Sequence, residues 1–447
     1  MLTWLRKHTK TIMIAVAVVF AGSMFYGLGF SGQQGGSGGG GSKGIAKVNG
    51  REIDQVRYQE LLNRVAQSFG GDISPSDMAM IENLTLGQAI DFTLMVEEAR
   101  KKVKVSGSEI DGTLDQIMKQ QQIPSKRELE VALKRLGLTV GKFRDLLRDD
   151  ILLQKFQRKM QEEIKVTPDD LREIRASHIL LSNEATAKLV LAQLKAGGDF
   201  AALAKAYSRD PGSAAQGGDL GYFKTGSMLP EFERAVLALK PGELSGIVKT
   251  PFGYHLIKVA DSRLRKFSVP DAQVEQLVLR EKQESTMRQW FGSVKAKAKI
   301  EVLNPALRAH DYRFKGMAPL AIAEYKKAIA QDPANPFLPI YLGDTYMMLG
   351  RKDLALVEYE NAVKVQGGNP ALYLVLGKAY EAAGERNLAA EQYKKASLVA
   401  GDSRDVHEKL LKLFQQMKRP AEVAREKAEL QRIGKKEAFE KELTGGK

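Results

Sequence analysis

The spacing of hydrophobic and polar residues changes several times along the 447-residue chain, and each change predicts a different element. From Thr11 to Phe30 an almost unbroken apolar run carries no charge, and Arg6, Lys7 and Lys10 precede it. Twenty helical residues span about 30 Å, the thickness of a bilayer core. Residues 1–30 therefore read as a cytoplasmic tip and transmembrane helix, with the basic residues held inside and the rest of the chain outside. A cleaved leader is the alternative, with Ala21-Gly22-Ser23 as its small-residue site. Met24-Phe25-Tyr26 continues the apolar run beyond that site, which favours the anchor. Residues 31–44, rich in glycine and serine, predict a coil with a reach of roughly 20 Å.

Alternation replaces the apolar run from Ile45 to Ile53, around an Asn49-Gly50 pair that favours a tight hairpin. Asp54 is placed to cap a helix carrying Val56, Leu61, Leu62 and Val65. Amphipathic stretches follow at 77–104, 108–121, 126–136 and 139–164. Arg175-Ala-Ser-His-Ile-Leu-Leu181 and Gly253-Tyr-His-Leu-Ile-Lys-Val259 are strand-like, each with one histidine. Between them lie helices at 185–195, after Asp199 and around Phe232, predicting an α/β domain over 174–262 with the two histidine strands adjacent and antiparallel. Helical periodicity returns after Val269, with a stripe of Val274, Leu277, Val278, Met287, Trp290, Phe291 and Val294. It ends in a strand-like Lys299–Leu303.

The last third, 305–447, repeats. Gly316, Gly350 and Gly384 keep a 34-residue step, as do Tyr325, Tyr359 and Tyr393, Ala321, Ala355 and Ala389, and Ala328, Ala362 and Ala396. This period of small, aromatic and turn positions is the tetratricopeptide signature, predicting an α-solenoid closed by a charged capping helix from about Asp405. The fold class expected is thus multidomain, α and α+β.

Composition, at 43% hydrophobic and 27% charged, is ordinary for a globular chain of several domains. The absence of cysteine removes disulfides and thiolate chemistry and fits an oxidising compartment. A net charge of +14 does not choose among anionic partners, and without an aromatic-basic reading motif it gives no support to nucleic-acid binding. The five histidines are scattered without ligand spacing, so no metal site is expected. Gly217-Gly-Asp-Leu-Gly221 lacks the Gly-Lys-Ser/Thr of a phosphate loop and reads as a turn.

From the first histidine strand through Ser208-Arg-Asp-Pro211, Gly217-Gly-Asp-Leu-Gly221 and the Phe232 helix to Pro251-Phe-Gly-Tyr-His255, the chain resembles the parvulin family of peptidyl-prolyl cis/trans isomerases. The resemblance assigns the paired histidines at the floor of the site to His178 and His255. It puts Asp210 beside the substrate amide, and Met228, Phe232, Phe252 and Leu220 around the proline ring. A role for the histidines in orienting one another and the sheet is favoured over proton transfer, which remains open. No cofactor is implied.

Ala46-Lys-Val-Asn-Gly-Arg-Glu-Ile53 and the helices behind it resemble the N-terminal chaperone module of the SurA and PpiD foldases. That resemblance implies a discontinuous body, 45–173 completed by 266–303, although 269–302 also reads as a plain linker helix. The partners implied are unfolded or exported polypeptides containing proline, and an unidentified protein for the repeats. The location implied is the bacterial inner membrane, single-pass, with the bulk periplasmic. Two alternatives stand beside the isomerase-chaperone. One is a holdase without catalysis; the other is a scaffold for a secretion or envelope and exopolysaccharide assembly machine.

Overall fold

The computed structural model describes residues 44–70 and 73–443; the predicted membrane span and all but the end of the 31–44 linker lie outside them. Among the described residues no helix is long and apolar enough to cross a membrane. The chain divides into two units. One takes in residues up to Leu94, Ser106–Arg148 and the chain from Lys299 onward; the other, Met95–Val105 and Asp149–Ala298.

The first unit opens with the predicted hairpin, β1 (Ala46–Val48) and β2 (Arg51–Glu52). Asn49 and Gly50 both have positive φ, at 50° and 84°, as a two-residue turn with the right twist requires. Strand β7 (Ile300–Val302) pairs antiparallel with the other edge of β1, so Lys299–Leu303 returns to the start of the folded chain. Asn49 fastens the return, its amide donating to the Lys299 carbonyl at 2.8 Å and its side chain accepting from the Lys299 amide at 2.9 Å.

Helix α1 (Gln55–Phe69) begins where Asp54 accepts hydrogen bonds from the Val56 and Arg57 amides. Helices α2 (Pro75–Lys102), α3 (Gly107–Gln120), α4 (Lys126–Arg135) and α5 (Val140–Glu163) follow, close to the predicted stretches. A capping box of Ser106 and Glu109 starts α3. Inside the first unit Arg57 is buried, paired with Glu60 at 2.7 Å, donating to the Leu146 carbonyl and lying over the Phe92 ring.

The same unit contains the 34-residue repeats, as helices α10 (Pro305–Phe314), α11 (Ala318–Gln331), α12 (Phe337–Met348), α13 (Lys352–Val365), α14 (Pro370–Ala383) and α15 (Arg386–Val399). Each packs on the next. Small residues let the pairs close: a Cβ on Gly343 would stand 2.7 Å from the Tyr359 ring, and one on Gly377 2.3 Å from Tyr393. The repeated tyrosines are buried, and their hydroxyls reach back to the preceding helix, Tyr325 to His310, Tyr359 to Asp344 and Tyr393 to Glu381, each at 2.7 Å. The single charged helix expected from about Asp405 is in fact two, α16 (Arg404–Gln416) and α17 (Pro420–Leu443). Lys418 adopts a left-handed φ of 57°, and Pro420 cannot continue a helix begun before it.

The second unit holds the α/β domain: β3 (Arg172–Leu181), α6 (Glu184–Lys195), α7 (Phe200–Tyr207), β4 (Asp219–Lys224), α8 (Pro230–Leu237), β5 (Val248–Thr250) and β6 (Gly253–Leu264). Its antiparallel sheet runs β4-β3-β6-β5, with the two histidine strands adjacent at the centre. Ile179, Leu181 and Leu256 pack under α6 and α7, while Ile174, Ala176, Ile257 and Val259 pack on the opposite face with Phe232 and Val236 of α8.

Helix α9 (Asp271–Lys297) follows, its Trp290 5.3 Å from the Phe156 ring of α5 and its Gln283 donating to the Gln161 carbonyl. Of the apolar stripe predicted on α9 only Val278 is buried, and the rest is half-buried. The same helix spends its other contacts on polar groups of the α/β domain, described below.

Candidate active site

Alternation along β3 turns His178 to the face that carries Ile174 and Ala176, and alternation along β6 turns His255 to the same face as Ile257 and Val259. In the β3–β6 register His178 stands opposite Ile257, and Leu180 opposite His255, so the histidines are diagonal neighbours. Their rings stack at 5.4 Å between centroids with Nδ1 atoms 3.2 Å apart. Phe232 meets both edge-on, at 5.8 and 5.5 Å. Pro230 at the first turn of α8 starts the helix that delivers it.

Asp210 arrives from the segment after α7. The Arg209 amide donates to the Leu180 carbonyl at 2.8 Å, and the Ser208 hydroxyl accepts from the Leu180 amide, zipping this segment onto β3. Asp210 Oδ2 then lies 2.8 Å from His178 Nε2 and accepts from the Ser213 hydroxyl. The Gly218 carbonyl accepts from the His178 amide at 2.8 Å, at a φ of 83° where a Cβ would come within 2.2 Å of the His178 carbonyl. Only glycine fits so close to the strand.

Burial opposes ionisation of Asp210, but the hydrogen bonds from Ser213, His178 and the Gly212 amide outweigh it and hold its pKa at about 2. Burial, reinforced by the neighbouring His178, pushes His255 down to about 4. An ionised Asp210 can only accept, so His178 Nε2 carries a proton. With both rings neutral one arrangement satisfies every contact: His178 Nδ1 accepts from His255 Nδ1–H, and His255 Nε2 accepts from the Thr250 hydroxyl at 2.8 Å.

The structure thus brings His178, His255, Asp210 and Phe232 together. Leu220 and Met228 are half-buried against the Phe232 cluster. Phe252 stands apart at the tip of the β5–β6 hairpin, 73% exposed, with its amide held by the Thr250 hydroxyl. Ser213 and Thr250 were not singled out by the sequence, although each sits inside or beside a motif. Nothing in their spacing separates them from other loop hydroxyls; burial at 2% and 7% and the hydrogen bonds to the histidine and aspartate side chains do. The network is an ordered polar floor under an apolar wall, with one partly accessible carboxylate at its rim.

Comparison with known proteins places the domain that carries these residues in a family. A model of the PPIC-type PPIASE domain matches residues 158–263, and one of the SurA-like N-terminal domain matches 1–157. The foldase protein PrsA of Geobacillus kaustophilus is 39% identical over 211 residues, covering 45% of this chain and 72% of that protein. PrsA of Caldanaerobacter subterraneus subsp. tengcongensis is 32% identical over 277 residues, covering 58% and 86%. PrsA of Bacillus subtilis is 35% identical over 257 residues, covering 55% and 84%. The SurA-like reading of the N-terminal region stands, within relatives that are PrsA proteins. With a parvulin-type peptidyl-prolyl cis/trans isomerase domain behind a SurA-like N-terminal domain, the chain belongs to the PrsA family of foldases.

Proposed function

We propose that this chain is a membrane-tethered foldase outside the cytoplasm, isomerising prolyl bonds in exported polypeptides at the His178–His255–Asp210 site. The reaction asks little of side chains chemically, because it is rotation about a partly double C–N bond with a barrier of about 18–20 kcal/mol, and no bond forms or breaks. A proline ring gripped by Leu220, Met228, Phe232 and Phe252 leaves the preceding carbonyl free to turn. The twisted amide has lost resonance and suits an apolar wall better than the planar forms do, so the site favours the transition state. His178 and His255 orient one another, and Asp210 presents fixed negative charge to the amide. The observation that carries this reading is the Thr250–His255–His178–Asp210 chain of hydrogen bonds beside the Phe232 face.

The chaperone body in this reading is 45–173 completed by 266–303, which the pairing of β7 with β1 supports. Unfolded segments are its clients. Residues 305–447 act as tetratricopeptide repeats that recruit a protein partner, supported by the 34-residue step and the glycine–tyrosine contacts at Gly343 and Gly377. The basic, then apolar N-terminus supports a single-pass inner-membrane anchor with the bulk periplasmic. The test is isomerisation of a short proline peptide by wild type and Asp210→Ala. Acceleration that falls about 10–100-fold in the variant, the worth of a charge-assisted hydrogen bond, supports catalysis at this site. No acceleration across varied residues before proline leaves a holdase.

A further inference from the structure

Loop 225–229, between β4 and α8, carries Met228 to the proline wall, and one face of α9 holds that loop from outside. Glu281, Ser285 and Gln289 are spaced by four, with Lys282 beside them, and so share a helix face. Glu281 pairs with Lys224 at the end of β4 and with Arg265 after β6, each at 2.8 Å. Lys282 pairs with Asp170 at 2.6 Å, and Asp170 accepts from the Thr225 hydroxyl. Ser285 meets Gly226 so closely that a Cβ there would stand 2.4 Å from its hydroxyl. Gln289 donates its side-chain amide to the Met228 carbonyl itself, at 2.8 Å.

We infer that Gln289 is a positioning residue for prolyl isomerisation, fixing the backbone of Met228 so that its side chain meets the proline ring. The inference rests on Met228 lining the pocket, as proposed above. It extends the site beyond the isomerase domain proper, since the family match ends at residue 263 and Gln289 lies on the following helix. The physical reason is entropic. A loop must give up freedom when it closes on a ligand, and a side chain on a long helix that already holds the loop removes that cost beforehand.

The experiment is steady-state isomerisation of a proline peptide by the full chain and four variants. Gln289→Ala and Gln289→Glu, which both remove the donor, raise KM so that kcat/KM falls about three- to tenfold with kcat nearly unchanged. Gln289→Lys, which keeps a donor within reach of the carbonyl, recovers most of the loss. Met228→Ala reports on the underlying reading. If Met228→Ala lowers kcat/KM while Gln289→Ala and Gln289→Glu stay within twofold of wild type, positioning by Gln289 is overturned and the pocket assignment survives. If Met228→Ala leaves kcat/KM intact, the assignment of Met228 fails and takes the inference with it. A loss in Gln289→Ala that Gln289→Lys does not recover also overturns it, because a donor is then not what the loop needs.

Discussion

His255 presents Nδ1 to His178 Nδ1 across 3.2 Å, and its other nitrogen to the Thr250 hydroxyl across 2.8 Å, so both ring nitrogens are engaged within the protein. This enclosure makes the site sensitive to acid. The imidazole titrates at 6.5 in an unfolded chain and at about 4 here, so between those values the unfolded chain binds a proton that the folded one refuses. Its contribution to stability is complete above about pH 6.5 and is lost as the pH falls towards 4. Asp210, lowered from 3.8 to about 2, contributes above about pH 4 and loses that contribution between 4 and 2. Chemical denaturation across pH 3–8 should give a midpoint that declines in acid, and His255→Phe should flatten the upper part of the decline. The isomerisation rate should hold from pH 8 to about 5 and fall below that as His255 takes up its proton.

Phe252 offers the contrasting case, for at 73% exposure it contributes little to the folded state. Phe252→Ala should change stability by no more than about 0.5 kcal/mol. If it lines the proline pocket as proposed, KM for a proline peptide rises while the melting temperature stays put. An unchanged KM would remove Phe252 from the site.

Gly218→Ala should be costly despite its small size. The new Cβ meets the His178 carbonyl at 2.2 Å, from a backbone conformation that L-residues rarely adopt. A loss of about 1–3 kcal/mol follows from overpacking alone. Because the strained bond is the one holding His178, kcat/KM should fall as well. Thermal denaturation with a parallel rate measurement checks both.

Glu82 and His310 meet inside the first unit, Glu82 Oε2 2.8 Å from His310 Nε2, with Tyr325 on the other ring nitrogen at 2.7 Å. His310 is fully buried, so Glu82→Ala strands a donor and should cost about 1–3 kcal/mol. Hydrogen exchange should quicken in α10 and α12, where His310 and its edge-on neighbour Tyr341 lie, while proline-peptide isomerisation remains as in wild type. Equal exchange in both proteins would mean that this contact does not hold the first repeat.

Much of this architecture follows from local pattern. The hairpin at Asn49-Gly50 needs two positive φ angles, and those residues supply them cheaply. The helices through 163 have caps and periodicity that act within a few residues. The 34-residue step marks the repeats because each repeat solves the same packing problem against its neighbour. His178, His255, Asp210 and Phe232 are legible because they stand in motifs that resemble a family's.

Other features depend on residues far apart in the chain. No local signal joins the Ser213 hydroxyl to His178 Nε2, 35 residues away, since that contact depends on where the loop after α7 is held against β3. The polar contacts of α9 with the α/β domain are of this kind, because a half-buried face is shaped by what packs on it, whereas the break at Lys418 has a local cause in Pro420. Gln289 stands 61 residues from the carbonyl it holds, and Glu82 stands 228 from His310. Periodicity reports which face of an element is apolar, whereas the tertiary structure alone decides which polar group each buried donor meets.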